Sequence, residues 1–182
     1  MKCGLVPFAL ASLLAAQANA FELKSPDISA QQPIGEKFVF NAFGCKGENL
    51  SPALEWTDPP PGTKSFALLV HDPDAPTGGA GFWHWIVTDI PATAHGLAQG
   101  AGTPDGKGLP AGSKQLDSDF GKPGWGGPCP PPGHGPHHYN FTVYALSVDT
   151  LGLPPSTRTA FVGFTINSKA LAKATLTAVY GR

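Results

Sequence analysis

The sequence predicts a mainly β domain, and three observations carry that prediction. Period-2 runs rich in β-branched and aromatic residues occur at 37–43 (KFVFNAF), 64–72 (KSFALLVHD), 83–90 (WHWIVTDI) and 139–146 (YNFTVYAL). The segments between them are crowded with turn formers, 23 Gly and 20 Pro among 182 residues, where Pro fixes φ and Gly accepts positive φ. Long stretches of helical periodicity are scarce, so the architecture reads as predominantly β.

Residues 1–20 (MKCGLVPFALASLLAAQANA) come first and are read as a cleaved export signal: Lys2 at the start, a short apolar stretch, and the small-x-small exit Ala18-Asn19-Ala20. The stretch is well short of the ~20 residues that span a bilayer. Cys3 lies ahead of it, too early for a lipid-attachment cysteine. No later segment is apolar enough to cross a membrane. Residues 21–182 then form a single domain of a periplasmic or secreted protein, large enough for a sizeable core. The whole chain carries 12 Lys+Arg against 13 Asp+Glu, a net charge of −1 that becomes −2 without Lys2. That balance argues against a broad nucleic-acid-binding face. Two cysteines remain, Cys45 and Cys129, both in Gly/Pro-rich surroundings. An even number in an exported chain favours a disulfide over two buried thiols, and closing so long a loop is worth roughly 4 to 5 kcal/mol in the chain-entropy argument.

Along the chain, 37–43 is the first predicted strand and 64–72 the second, ending in the rigid turn HDPDAP. The prolines Pro73 and Pro76 there hold Asp72 and Asp74. The third strand, 83–90, places His84 between Trp83 and Trp85. By alternation His84, Ile86 and Thr88 share one face, and Trp83, Trp85 and Val87 the other. Residues 96–121 show no periodicity and read as a functional or mobile loop. At the end, Asn167-Ser168 is a candidate cap for a short helix over KALAKATLTAVYGR, with a terminal strand over TLTAVYGR as the competing reading.

The densest chemistry lies in GWGGPCPPPGHGPHHYNFTVYAL, residues 124–146. From 121 to 136, 12 of 16 positions are Gly or Pro. Such a run has little entropy left to lose, and it could offer backbone N–H groups and a proline wall to a ligand. It feeds His137, His138 and Tyr139 onto the fourth strand, His137 and Tyr139 on one face and His138 on the other. Imidazole and phenol are donors suited to an oxyanion in an apolar pocket. If the strands at 64–72 and 83–90 are neighbours, an aspartate reaches His84 and orients it. A carboxylate partner would raise the pKa of that imidazole, so anion affinity is expected to rise as the pH falls from about 8 to about 6.

DPDAP, then WHW, then GGPCPPPGHGPHHYNFTVYAL, together with FGCKGENLSPALEW, DFGKPGWGGPCPP and LAKATLTAVYGR, strongly resemble the phosphatidylethanolamine-binding protein (PEBP) family, specifically its bacterial Raf-kinase-inhibitor-like branch of the YbhB/YbcL type. The resemblance covers nearly the whole exported part. It implies a PEBP-like antiparallel β-sandwich with a few short peripheral helices. It also implies an anion pocket for phosphate-type headgroups built by Asp72, Pro76, His84, Pro131, His137 and Tyr139, with Asp74 as a secondary member. The family's usual HRY is His137-His138-Tyr139 here, so His138 replaces an arginine. An exported protein would not meet a cytosolic kinase, so the kinase-inhibitor part of the branch name is set aside.

The function expected is therefore a binding protein for a small anionic or phosphorylated ligand, with an inhibitory or regulatory protein partner left open and no cofactor called for. A homodimer is neither required nor excluded. Two alternatives compete. A metal site would use His134, His137 and His138, but alternation points the last two to opposite faces. A hydrolase of phosphoesters or peptides would use Asp72 and His84 as an acid/base pair. No serine sits in a nucleophile elbow and neither cysteine is in a catalytic context, so the chain is not read as an enzyme.

Overall fold

The computed structural model describes residues 20–182, so the export signal read in residues 1–20 lies, but for Ala20, outside the described residues. Strand β1 (Glu22–Lys24) is followed by β2 (Leu54–Thr57), β3 (Ser65–Asp72) and β4 (Phe82–Pro91). The short β5 (Gly96–Leu97) and β6 (Lys114–Gln115) precede β7 (His137–Leu146), helix α1 (Thr159–Lys169) and β8 (Ala170–Tyr180). Two sheets result, in the orders β1-β2-β5 and β6-β4-β3-β7-β8, with every pairing antiparallel. The expected mainly β architecture is therefore present. The predicted strands at 64–72, 83–90 and 139–146 are β3, β4 and β7.

Burial explains why these strands hold. On β2, Leu54 and Trp56 are buried while Glu55 and Thr57 are exposed, so one face packs inward. They meet Phe66, Leu68, Val70, Trp85, Phe141 and Val143 of the larger sheet in the main core. Each fully buried leucine or valine there stabilises by roughly 1.5 to 3 kcal/mol. The other face of the larger sheet presents Ala67, Leu69, Ile86 and Leu146, which α1 covers with Val162 and Ile166, one helical turn apart. With both faces covered, β3 is buried without a break from Ser65 to Val70.

Four sequence expectations are corrected. Residues 37–43 are not a strand: a 3-10 turn spans Glu36–Phe38, and Phe38, Val39 and Phe40 are buried in succession, without alternation. Their backbone bonds go to loops, from Phe40 N–H to the Pro128 carbonyl at 3.0 Å and from Asn49 N–H to the Val39 carbonyl at 2.9 Å. The helix is not over KALAKATLTAVYGR but immediately upstream. Ala170–Tyr180 instead pairs along all of β7, from Leu146↔Ala170 to His137↔Tyr180, and the ladder outweighs the alanine-rich local preference. Asn167 and Ser168 lie in the last turn of α1, where their side chains donate to the carbonyls of Gly163 and Thr165 rather than capping a new helix. Of the two readings of residues 96–121 only the mobile one is corrected, since the segment is tied down by β5, β6 and the bonds from Gly100 N–H and Gly102 N–H to Ser51, with Leu116 fully buried.

The fourth correction concerns β4. Val70 pairs with Trp85 and His71 with Trp83, so one extra residue, His84, stands in a bulge between them. Alternation breaks there. Trp85 joins the main core and Trp83 packs on the opposite cluster, while His84 lies beside Trp125, as Trp85 does.

Candidate functional site

The ends of β3, β4 and β7 open on a cavity of about 190 Å³. Its strand wall is made by Asp72, Phe82, His84, His137 and Tyr139, and its loop wall by Phe43, Phe120 and the run Cys129–Pro131. Pro76 and Thr77 of the β3–β4 turn close a third side. Six of the expected residues, Asp72, Pro76, His84, Pro131, His137 and Tyr139, are thus brought together. The expected secondary member, Asp74, is not on the cavity.

Asp72 is 3% exposed and fully engaged. Its Oδ1 accepts the Asp74 N–H at 2.8 Å, the Asx turn expected of DPD, and its Oδ2 accepts Nδ1–H of His137 at 2.7 Å. The expectation that an aspartate orients His84 is therefore wrong in its partner: the carboxylate serves His137, because β7 and β3 pair directly and bring Tyr139 and His137 past the end of β3. Nε2 of His137 meets Nδ1 of His134 at 2.9 Å, so His134, first considered as a metal ligand, caps the Asp72–His137 pair from the rim. Among the described residues no three His, Cys, Asp or Glu side chains converge on a metal position.

His84 is held by the loop wall. Its Nδ1–H donates to the Gly126 carbonyl at 2.6 Å, and the rings of Phe82, Phe120 and Tyr139 surround it at 5.1 to 5.5 Å between centroids. Burial dominates its ionisation and pushes the imidazole down to about 4 against smaller raising effects of the Gly126 carbonyl and Asp72. The expected rise is thus reversed, and His84 is neutral between pH 6 and pH 8. The Gly/Pro run also works differently from the expectation. The N–H groups of Gly126 and Gly127 are spent on the His84 carbonyl and on Asn49 Oδ1, not offered to a ligand. Both must be glycine because a Cβ at Gly126 would enter the Phe120 ring, and one at Gly127 the backbone of Phe38 and Phe40.

Tyr139 is fully buried on the cavity, with its phenol beside the Asp72 carboxylate. Burial first, and the Asp72 carboxylate second, push its phenol well up, so it remains a proton donor. On the outer face of β7, His138 gives both its N–H and its Nδ1–H to Asp74 Oδ2 at 2.7 Å. Partial burial would raise the Asp74 carboxyl, but these bonds from His138 outweigh it and hold the group below its ordinary value. His138 therefore anchors the DPDAP turn from outside. The Cys45–Cys129 disulfide expected from the cysteine count is formed, with Cα atoms 6.0 Å apart, and it staples the Phe43 segment to the proline wall. Arg182 adds to that join through Nε–H to the Pro130 carbonyl at 2.7 Å and Nη2–H to the Phe43 carbonyl at 3.2 Å. Sequence reasoning missed Phe43, Phe82 and Phe120 as lining residues. For Phe43 and Phe120 the signal was the aromatic just before the glycine of FGC and FGK, and for Phe82 only its place ahead of the WHW strand.

The profile described as phosphatidylethanolamine-binding protein matches residues 24–181. The chain belongs to the phosphatidylethanolamine-binding protein family. Within the PEBP family it is of the YbhB/YbcL type. It is 46% identical to the Escherichia coli UPF0098 protein YbcL over 181 residues, 99% of this chain and 98% of that one. To E. coli YbhB it is 42% identical over 159 residues, 87% and 99% of the two chains. The crystal structure of E. coli YbcL superposes with a TM-score of 0.87, covering 89% of this chain and 98% of the other. The fold persists in the PEBP of Plasmodium vivax at 16% identity, with a TM-score of 0.56 over 89% of this chain and 85% of that one.

Proposed function

We propose that this PEBP is an exported, single-domain protein that binds a small phosphorylated or other oxyanionic ligand in the cavity bounded by Asp72, His84, Pro131, His137 and Tyr139, and that it does not act as a catalyst. The observation that carries the reading is the cavity at the ends of β3, β4 and β7, where the buried polar side chains Asp72, His84, His137 and Tyr139 meet an apolar lining of Phe43, Phe82, Phe120 and Pro131, the make-up of a small-ligand site. The rest of the cavity supports binding over turnover. No serine lines it, and its one cysteine, Cys129, is held in the disulfide, so neither of those nucleophiles is offered beside His84 and the Asp72–His137 pair. Export is supported by the disulfide, a bond that persists in oxidising compartments, and by the composition of residues 1–20.

The test is an NMR titration of residues 21–182 with inorganic phosphate and with phosphoethanolamine at pH 6, following histidine ring and tyrosine signals. Saturable shifts confined to His84, His137 and Tyr139 are expected. An unsaturable or global response would overturn the reading. A regulatory protein partner is a second reading, favoured by Phe43, which is 75% exposed at the rim of the cavity. Recovery of no partner by wild type beyond what Phe43→Ser recovers would remove it.

A further inference from the structure

Charge is divided unevenly along the chain. Residues 21–149 carry 7 Lys+Arg against 13 Asp+Glu, whereas residues 150–182 carry Arg158, Lys169, Lys173 and Arg182 and no acidic residue. Arg182 is spent on the carbonyls of Pro130 and Phe43 beside the cavity. The other three belong to α1 and its surroundings: Arg158 stands at its N-terminus and Lys169 is its last residue. Lys173 is opposite Tyr144 on β7, and Tyr144 packs in the cluster that α1 covers, so Lys173 shares that face of the sheet with the helix. None of the three makes an ion pair among the described residues. The last acid in the chain, Asp149, is already beside Lys64 Nζ at 3.9 Å.

The helix is apolar on two sides. Val162 and Ile166 pack on the sheet, while Phe161 and Phe164, one turn apart on the outer face, are 55% and 70% exposed and stack on each other at 6.2 Å between centroids. Their exposed neighbours Ala160, Asn167 and Ser168 carry no charge. At 11 residues the helix is about 16 Å long, too short to cross a bilayer. Two phenylalanine rings offer a few hundred Å² at most, well below the ~800 Å² per partner of a stable protein interface. An anionic lipid surface needs no such area, because aromatic rings enter the headgroup boundary while cations meet the surface charge.

We infer that the outer face of α1 docks the protein on an anionic lipid surface, with Phe161 and Phe164 entering the headgroup region and Arg158, Lys169 and Lys173 meeting the lipid phosphates around them. The attachment is peripheral and reversible, since two rings and three cations fall far short of a spanning helix. It is independent of the cavity, which opens at the Asp72 and His137 ends of β3 and β7, whereas α1 runs into β8 at the Leu146 end of β7.

Co-sedimentation of residues 21–182 with vesicles of phosphatidylcholine alone, and of phosphatidylcholine and phosphatidylglycerol in equal parts, tests this. Partition into the anionic vesicles is expected to be at least about tenfold higher, and added salt should remove the difference. Phe161→Gln with Phe164→Gln, and separately Lys169→Gln with Lys173→Gln, are each expected to lower anionic partition about tenfold. Both variants should melt as wild type does, because the exchanged side chains are exposed. Equal partition of wild type into the two vesicles would overturn the inference. So would anionic binding that both variants keep, which would move lipid capture to another face. A wild-type dimer that Phe161→Gln with Phe164→Gln turns into a monomer, in a protein that ignores the anionic vesicles, would also overturn it and give the face to a second copy of the chain.

Discussion

On the strand wall of the cavity, Asp72, His137 and Tyr139 are placed by the β3–β7 ladder, with buried and exposed residues taking turns from His137 through Tyr139. On the loop wall, Phe43, Phe120 and Cys129–Pro131 belong to no strand and are held by the Cys45–Cys129 bridge, by Arg182 and by close contacts at Gly126 and Gly127. The contrast teaches a division of labour. The strands decide which polar groups face the cavity, and the loops decide its apolar shape and, through the Gly126 carbonyl, the tautomer of His84. A ladder can present a histidine, but it has no backbone acceptor left over to direct the ring.

Removing the staple is the most severe way to break the comparison. Cys45→Ser with Cys129→Ser opens a link across 84 residues, and the chain-entropy argument sets the loss at up to about 4 to 5 kcal/mol. Urea midpoints should fall accordingly, while the far-UV sheet signal below the transition stays native and signals of the Phe43 and Phe120 rings lose dispersion. An unchanged midpoint would mean that the loop wall stands without its disulfide.

The next effect isolates the loop wall's hold on His84. Its folded pKa lies at about 4 against an ordinary 6.5, so the unfolded chain takes up the proton first as the pH falls. The stability this position contributes is therefore complete above about 6.5 and is lost progressively down to about 4. The shift corresponds to roughly 3 kcal/mol. Urea midpoints at pH 7 and pH 4.5 should differ more in wild type than in His84→Gln. Equal differences would show that His84 is not what the acid limb reports.

On the strand wall, Asp72→Ala leaves the buried Nδ1–H of His137 and the Asp74 N–H without acceptors, a loss of roughly 2 kcal/mol. Thermal melts should show it, and the His137 ring signal should broaden while that of His84 keeps its position. A moved His84 signal would blur the division between the walls. The smallest effect is outside the cavity: His138→Ala removes the ring from a half-exposed pair with Asp74, so less than about 1 kcal/mol is expected by the same melts, with no change in ligand affinity.

Much of the strand wall was legible before any coordinates. The period-2 pattern of YNFTVYAL separates His138 from His137 and Tyr139, and the DPDAP turn announces its own Asx bond. The partner of each histidine was not legible. Asp72 and His137 stand 65 residues apart, and Gly126 and His84 stand 42 apart. The bulge at His84 reversed a face assignment that strict alternation had fixed. Residues 37–43 have strand composition but pack as loop, since their backbone partners are Pro128 and Asn49 rather than a neighbouring strand.

By itself, then, the sequence determined the β class, three long strands of the larger sheet and the cysteine pairing, because each follows from local alternation, turn chemistry or a count, while the set of residues that meet at the cavity followed from the family resemblance. Tertiary structure alone decided that Ala170–Tyr180 is an added strand and not a helix, that Asp72 serves His137, and that His84 faces the cavity as a neutral acceptor. Those choices depend on which backbone carbonyl, carboxylate or strand edge arrives from a distant part of the chain, and on burial that only the assembled core imposes.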